Sequence, residues 1–178
     1  MRIAYEAPQG RRVNAIGAYC THGPSAGDFV HQTFVSLPKS QSKTKEGRAK
    51  GRDVMAANHG LSAEVVGPID AVRFVAFVWE LAGRPKDAPA DWRRERPVMI
   101  VLDNYSVHKS QTVQAIQPAW EAADIFLVPL PSYCPQLSRI EPVWNDVKHH
   151  HLPTRSFQHV ADLKHNVDAA LAQHSLAW

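Results

Sequence analysis

Residues 97–108 read PVMIVLDNYSVH and contain the pattern that decides the fold. Five consecutive apolar residues, Val98 to Leu102, are rich in β-branched types and favour a strand buried on both faces. The run ends at Asp103, so a carboxylate is predicted at the carboxyl edge of a central strand. Open α/β sheets carry their chemistry at that edge, which makes Asp103 the first candidate site residue.

A second stretch, residues 129–148, reads PLPSYCPQLSRIEPVWNDVK and supplies a second carboxylate. It follows a short predicted strand, residues 125–128, and a loop punctuated by prolines. Glu141-Pro142 predicts the start of a helix, because proline is tolerated in the first helical turn. Asp103 and Glu141 are therefore predicted to form a carboxylate pair for divalent metal ions. The helix dipole alone also favours a glutamate in the first turn. The position of Glu141 is therefore not sufficient evidence for a metal site.

The two stretches resemble the last two catalytic blocks of the DDE transposases. The resemblance is greatest to the mariner-like branch of insertion-sequence transposases, also called DDE superfamily endonucleases. The residues that match the family pattern are Asp103, Asn104, His108, Leu130, Pro131, Tyr133, Pro135, Leu137, Ile140, Glu141, Trp144 and Lys148. Three loop residues, Cys134, Ser138 and Arg139, depart from the pattern and leave the acidic residues in place.

The resemblance implies a ribonuclease H-like α/β fold, in which a mixed sheet is flanked by helices. The implied reaction is cleavage of double-stranded DNA at transposon ends, followed by strand transfer to target DNA by a homodimer. Two Mg²⁺ ions, or Mn²⁺ as a substitute, would be held by three carboxylates. By motif position Asp103 would be the second acid and Glu141 the third. The supporting positions would be Asn104, His108, Tyr133 and Trp144.

The first acid of the family has no counterpart in the sequence. In the family it precedes the strand that matches residues 12–21, and the opening MRIAYEAPQG does not resemble that block. Glu6 and Asp28 are the nearest acids, and neither has the expected strand around it. The sheet is thus expected to lack its first strand, which a separately encoded N-terminal transposase part would supply. The alternative is a catalytically inactive remnant that acts as a DNA-binding or assembly module.

The 178-residue length predicts one domain, and two further strands are predicted near its beginning. Residues 12–21 and 29–37 alternate in polarity and are separated by the turn His22-Gly23-Pro24-Ser25. This pattern predicts an antiparallel hairpin. Together with the two parallel-type strands, the hairpin is expected to form one mixed sheet.

Three helices are predicted besides the one at Glu141. Asp70 is expected to cap a helix that is apolar on most sides and therefore buried. Ser110 is expected to cap a second helix, which Pro118 should kink or divide. Ser156 is expected to cap a final helix that packs on the sheet.

Residues 38–53 contain six basic and two acidic residues and are predicted to form a basic loop. Its glycines and serines favour a solvated loop. The functional alternative is an arm that grips DNA phosphates. The candidate DNA-binding residues are Lys43, Lys45, Arg48 and Lys50 of this loop, with Lys148 on the helix that begins at Glu141.

His149-His150-His151 raises the question of a metal site. Adjacent histidines on a helix point in different directions, so one ion cannot be held by all three. A cationic helix C-terminus is the favoured interpretation.

The remaining composition excludes several classes. Two cysteines, Cys20 and Cys134, lie far apart without a CxxC pair, which suits a reducing cytoplasm and argues against a zinc knuckle. No apolar run is long enough to predict a membrane span, and the N-terminus has no signal-peptide pattern. A net charge of +3 fits a polyanionic partner only weakly. The expected location is the bacterial cytoplasm, in association with the nucleoid.

Overall fold

The structure of the protein, a computed structural model, describes residues 12–36, 44–131, 134, 137–152 and 159–174. Residue contacts divide the chain into two compact units. Unit 1 comprises the described residues of Met1–Pro68 and Pro142–Trp178, and unit 2 comprises those of Ile69–Glu141. The single domain expected from the length stays a prediction.

The described residues form four strands and five α-helices, together with shorter turns. The strands are β1 Arg12–Tyr19, β2 Phe29–Ser36, β3 Val98–Leu102 and β4 Ile125–Pro129. The helices are α1 Lys45–Asn58, α2 Ala71–Leu81, α3 Gln111–Ala122, α4 Glu141–Asp146 and α5 Val160–His174. Short 3₁₀ turns cover Ala63–Val65 and Ser106–Lys109, and a π turn, Val147–His151, continues α4. In the described part of the chain, no helix combines the length and apolar character needed to cross a bilayer.

The predicted hairpin is confirmed, with β1 and β2 antiparallel and paired from Arg12–Ser36 to Tyr19–Phe29. The connecting turn is fastened by two backbone hydrogen bonds at Cys20, whose N donates to Asp28 O at 2.9 Å and whose O accepts from Gly27 N at 2.8 Å. Alternation of polarity is a period-two signal, which is why sequence alone located this pairing.

Helix α5 packs on β2 within unit 1, as the apolar spacing of this helix predicts. Its buried residues are Val160, Val167, Ala170 and Leu171. Ser156, the predicted cap, lies outside the described residues.

An aromatic contact joins α4 to strand β2. Trp144 meets Phe29 edge-to-face, with ring centroids 5.8 Å apart. Gly17 lies against both rings, and a Cβ at that position would be 3.0 Å from each of them. Strand β1 therefore approaches the aromatic pair as closely as a glycine allows.

A polar network ties β2 to α5 at a partly buried position. Lys164 Nζ donates to Thr33 Oγ1 at 2.8 Å and to Asp168 Oδ2 at 2.6 Å. The Thr33 hydroxyl donates to the other oxygen of Asp168. Thr33 is buried, so this network satisfies a hydroxyl that would otherwise be costly to remove from water.

In unit 2, β3 and β4 pair in parallel from Val98–Ile125 to Leu102–Pro129. Helices α2 and α3 pack together through an aromatic cluster, in which Trp120 lies edge-on to Phe74 with centroids 6.2 Å apart. Trp120 is fully buried. The predicted caps are confirmed, because the side chain of Asp70 accepts from Arg73 N and that of Ser110 accepts from Val113 N.

The turn between α3 and β4 is held by Asp124, which adopts a left-handed backbone conformation with φ of 61°. Its carboxylate accepts two hydrogen bonds from the Arg93 guanidinium. Those bonds hold the pKa of Asp124 below its usual value. Asp124 O accepts from Val98 N at 2.9 Å, so this residue also begins the parallel ladder.

The prediction that β3 is buried on both faces is wrong. Ile100 is buried, whereas Met99 is 74% exposed and Val101 is 56% exposed. On β4, Phe126 and Val128 are exposed on the same sheet. Five apolar residues in a row predict a strand but not the burial of both its faces, because burial depends on which other elements pack against the sheet.

Helix α2 shows the same limit of local patterning. Val72 is exposed, while Phe74, Phe77 and Val78 are buried. The helix therefore has an open side, although its sequence is apolar on most sides.

The four described strands form two separate ladders, β1 with β2 and β3 with β4, rather than the one sheet expected. Local sequence patterns predict each pair of strands. They do not predict which pairs become neighbours in one sheet, because that depends on the long connections between them. The α/β class is confirmed, with strands of both directions flanked by helices as in a ribonuclease H-like domain. Its first strand is not tested by the described residues.

Two local predictions need correction. The predicted basic loop 38–53 is helical from Lys45 onward, as part of α1, and residues 38–43 lie outside the described part of the chain. Thr44 caps this helix by accepting from Gly47 N at 3.1 Å. Pro118, expected to kink or divide α3, does not divide it, because α3 runs unbroken from Gln111 to Ala122; a kink stays a prediction.

Candidate active site

Asp103 follows β3 directly, where the parallel ladder ends. Leu130 N donates to Leu102 O at 2.7 Å, and Asn104 Nδ2 donates to Leu130 O at 2.9 Å. These two bonds extend the pairing of the strands beyond the last ladder residues. The backbone that carries Asp103 is therefore fixed to the end of β4.

One oxygen of Asp103 is anchored and the other is available. Oδ1 accepts from Tyr105 N at 2.9 Å, which forms an Asx turn. The side chain is 60% exposed, and Oδ2 makes no hydrogen bond to the described residues. A carboxylate that is oriented through one oxygen and open at the other suits a divalent cation, which prefers oxygen ligands.

His108 supports this carboxylate from the 3₁₀ turn Ser106–Lys109. Its Nδ1 lies 3.1 Å from the backbone oxygen of Asp103 and 3.2 Å from Oδ1. Both neighbours are acceptors, so Nδ1 carries the proton and Nε2 is the bare nitrogen of the neutral ring. The ring also contacts Phe74, with centroids 4.5 Å apart. His108 is thus held by core packing on one side and by Asp103 on the other.

Asn104 and Lys109 form the other side of this loop. Lys109 Nζ donates to Asn104 Oδ1 at 3.1 Å, while the amide of Asn104 donates to Leu130 O. Both functional groups of Asn104 are therefore engaged in holding the loop. Lys109 is a cation on the loop of Asp103 that the sequence pattern does not single out.

Glu141 is the first residue of α4 and the last residue of unit 2. It is half-buried, and its backbone N donates to Ser138 O at 3.2 Å. Its carboxylate has no hydrogen bond or ion pair to the described residues. The helix start is as predicted. The approach of Glu141 to Asp103 stays a prediction.

Within the described ranges, neither Asp103 nor Glu141 belongs to a cluster of three metal-ligating side chains. No group of three close Asp, Glu, His or Cys side chains there includes Asp103 or Glu141. Asp28, weighed as a substitute for the first acid, is exposed at the hairpin turn in unit 1. Glu6 lies outside the described residues.

The remaining predicted site residues are spread over other elements. Arg48 and Lys50 are exposed on α1, and Lys148 is exposed on the π turn. Lys45 opens α1, and Lys43 and Tyr133 lie outside the described residues. Trp144 packs against Phe29, which gives it a role in the core of unit 1.

Comparison with known proteins supplies the family. The family model described as DDE superfamily endonuclease matches residues 52–164, a range that includes both Asp103 and Glu141. No curated protein and no solved structure matched the chain. The family match spans more than half of the 178 residues and contains the loop that carries Asp103 and His108. The chain is a member of the DDE superfamily of endonucleases.

Proposed function

We propose that the protein is a transposase-type domain that cleaves DNA phosphodiesters and transfers strands through metal-bound carboxylates. The observation that carries this proposal is the state of Asp103. Its Oδ1 is fixed by Tyr105 N and His108, and its Oδ2 is open to a ligand at the end of β3. Membership of the DDE endonucleases makes DNA the substrate class.

Mg²⁺ fits the residues present, with Mn²⁺ as a substitute. Mg²⁺ is usually bound by one or two carboxylates together with substrate phosphates, so it does not require a complete protein cage. Asp103 offers one free carboxylate oxygen, and Glu141 offers a carboxylate without a described partner. Bound Mg²⁺ would supply positive charge for activating the attacking hydroxyl and stabilising the leaving oxygen.

The chain's own residues have separable tasks in this proposal. His108 keeps Asp103 in one orientation through its Nδ1 proton. Lys109, on the same loop, and Lys148, on the π turn, are cations suited to DNA phosphate. Asn104 holds the loop to the end of β4 and would contribute through position rather than chemistry.

We further propose that the family's first carboxylate comes from a segment other than the described residues. Two observations support this. The sequence has no match to the family's first block, and no third acid joins Asp103 or Glu141 among the described residues. Catalysis would then require that segment, whereas metal and DNA binding would persist in part without it.

A nicking assay on supercoiled DNA with Mg²⁺ or Mn²⁺ tests the site. Asp103→Asn and Glu141→Gln are each expected to lower the rate by more than about 100-fold, because each removes an anionic ligand. Asp91→Asn and Glu95→Gln are the matched controls, since both residues are exposed and lie in the same unit. Nicking that persists at the normal rate in both site variants would contradict the assignment.

If the chain alone does not nick DNA, Mn²⁺ binding measured by electron paramagnetic resonance is the second readout. Asp103→Asn is expected to weaken binding while Asp91→Asn leaves it unchanged. Equal binding in all variants would favour the inactive alternative.

A DNA-binding or assembly module is the second candidate, and the charge of α1 favours it. Arg48, Lys50 and Arg52 are all exposed on this helix. Arg48 Nε also donates to Thr44 O at 3.3 Å, which orders one of these side chains. Exposed Arg and Lys side chains are common donors to DNA phosphate oxygens, so this helix offers a surface for the DNA backbone.

Salt-dependent binding to plain duplex DNA tests this candidate. Replacing Lys43, Lys45, Arg48 and Lys50 by glutamine should lower the salt slope by about 0.9 for each phosphate that is no longer bound. Lys86→Gln, an exposed cation in unit 2, is the control. An unchanged slope would remove the module. Sedimentation of the same complex reports whether two copies share one duplex, as the family resemblance implies.

A further inference from the structure

Three metal-ligating side chains converge in unit 1, although His174 lies far along the chain from the other two. They are Asp146 at the end of α4, His151 at the end of the π turn and His174 at the end of α5. Their ligand-capable atoms all lie within 4.8 Å of one another. Asp146 Oδ2 is 2.8 Å from His151 Nε2 and 3.2 Å from His174 Nε2.

The π turn is what brings the first two ligands together. In an α-helix, residues five apart are separated by about 140° around the axis, so their side chains cannot bind the same metal ion. The turn Val147–His151 is wider, and Leu152 N bonds to Val147 O at 3.2 Å in the i to i+5 pattern. Such turns are rare and occur frequently at functional sites. Here the extra residue turns His151 back over Asp146.

The third ligand is held in place by packing. The side chain of His174 is 16% exposed, and its ring meets Phe29 and His151 edge-on, with centroids 6.3 and 5.9 Å apart. Its Nε2 is buried and has no well-directed hydrogen bond among the described residues, although Asp146 Oδ2 is 3.2 Å away. A buried polar atom without a directed partner is costly. A metal ion between the three side chains would satisfy it.

We propose that Asp146, His151 and His174 form a binding site for a divalent transition-metal ion of the Zn²⁺ type. Two imidazoles and one carboxylate are a common zinc set, and three protein ligands leave a fourth position for water. With bonds of about 2.1 Å, a tetrahedral ion separates its ligand atoms by about 3.4 Å. The distances of 2.8 and 3.2 Å from Asp146 Oδ2 to the two Nε2 atoms are close to this value, and all three ligand atoms lie within 4.8 Å of one another.

The site is chemically distinct from the carboxylates of the proposed function. Imidazole suits zinc, nickel and copper, whereas Mg²⁺ prefers oxygen ligands alone. The ion would join the end of α5 to the turn after α4, so its role is to fasten these two elements of unit 1. This inference does not depend on catalysis by Asp103 or Glu141.

Equilibrium dialysis of the untagged full chain against Zn²⁺, after removal of metal with EDTA, tests the site directly. One equivalent is expected to bind. Asp146→Asn, His151→Gln and His174→Gln should each weaken Zn²⁺ binding by more than about 100-fold. Loss of a residue that only hydrogen-bonds to a metal ligand typically weakens binding by about 10- to 100-fold, so the larger effect identifies a direct ligand. His150→Gln and Asp162→Asn are the matched controls, because both residues are exposed and lie outside the cluster. They should bind like the unaltered protein.

Two measurements on the unaltered chain guard against variants that fail to fold. Co²⁺ in place of Zn²⁺ should give the intense visible absorption of a four-coordinate ion, and Zn²⁺ but not Mg²⁺ should raise the urea midpoint. Asp146→Glu retains a carboxylate and should recover part of the binding. Absence of a stoichiometric Zn²⁺ equivalent, or binding that survives all three variants, would overturn the proposal. A stability that follows pH but is indifferent to Zn²⁺ would overturn it too, by showing a protonated histidine–aspartate cluster instead.

Discussion

The two units stabilise their sheets in different ways. In unit 1, β2 is covered by α5 and joined to it by the network of Thr33, Lys164 and Asp168. In unit 2, α3 packs on β4 and is joined to α2 by an apolar cluster centred on Trp120. Unit 1 relies on contacts between residues far apart in sequence, whereas unit 2 is built from consecutive elements.

The second difference is how far the faces of the two sheets are buried by other elements. Met99, Val101, Phe126 and Val128 are exposed on the sheet of unit 2, and no other described element of that unit covers them. Parallel strands are normally covered on both faces. The comparison shows that an apolar run and a covered strand are separate properties, because the first is local and the second depends on tertiary contacts.

The largest effect is expected for Trp120→Ala. Removing a fully buried indole that packs against Phe74 and Trp79 should lower the free energy of unfolding by about 3–5 kcal/mol. Urea denaturation followed by circular dichroism measures it. Trp120→Phe should cost less than half as much, because the buried indole N–H has no partner among the described residues. Val72→Ala, at an exposed position, is the control, and equal destabilisation at both sites would refute this packing.

A smaller effect is expected when the network of unit 1 is broken. Lys164→Met leaves Asp168 and Thr33 without their shared donor and should cost about 2 kcal/mol. Lys50→Met, on the exposed side of α1, should change stability little. Combining Lys164→Met with Asp168→Asn should cost less than the sum of the two single changes. Strict additivity would mean that the two side chains do not stabilise the fold as a pair.

The dependence of stability on pH should be led by His31 in unit 1. Burial lowers the pKa of His31 most, Asp168 opposes this and Lys164 adds to it. The unfolded chain therefore takes up a proton near pH ~6.5 that the folded chain does not. Stability contributed by neutral His31 is complete above that pH and is lost as the pH falls through it. His31→Gln should flatten the curve of urea midpoint against pH between about 7.5 and 5.5, and an unchanged curve would contradict the assignment.

The smallest effect is expected on the exposed face of unit 2. Met99→Gln should change the free energy of unfolding by less than about 0.5 kcal/mol, because the side chain is 74% exposed. Ile100→Ala, one residue along the same strand, should cost about 2–4 kcal/mol because Ile100 is buried. Destabilisation above about 1 kcal/mol for Met99→Gln would show that the face is covered in solution.

Sequence predicted the features that local chemistry determines. Alternation located β1 and β2, the apolar runs located β3 and β4, and the caps Asp70 and Ser110 located two helix starts. In each case one period or one side-chain bond suffices to specify the element.

Helix α1 was missed because its composition opposes it. Gly47 and Gly51 disfavour a helix interior, and charged residues obscure any apolar stripe. Thr44, whose side chain accepts from Gly47 N, is the local signal for the start of this helix.

Long-range features of the sites were beyond local patterns. Sequence selected Asp103 and His108, but the bond between them follows from a 3₁₀ turn that no periodicity indicates. The grouping of Asp146 with His151 requires a π turn, and an α-helical expectation separates these residues. His174 joins them only through the packing of α5, which sequence order does not reveal.

The close approach at Gly17 constrains how this protein can evolve. Every amino acid other than glycine adds a Cβ, which here would press on the rings of Phe29 and Trp144 at 3.0 Å. A ring would have to shift by a few tenths of an ångström to accept it, and Phe29 is buried and packs against Trp144. A lineage that replaces Gly17 is therefore expected to reduce one of the two aromatics first, which restricts the order of these mutations. Descendants that retain both rings should also retain the glycine.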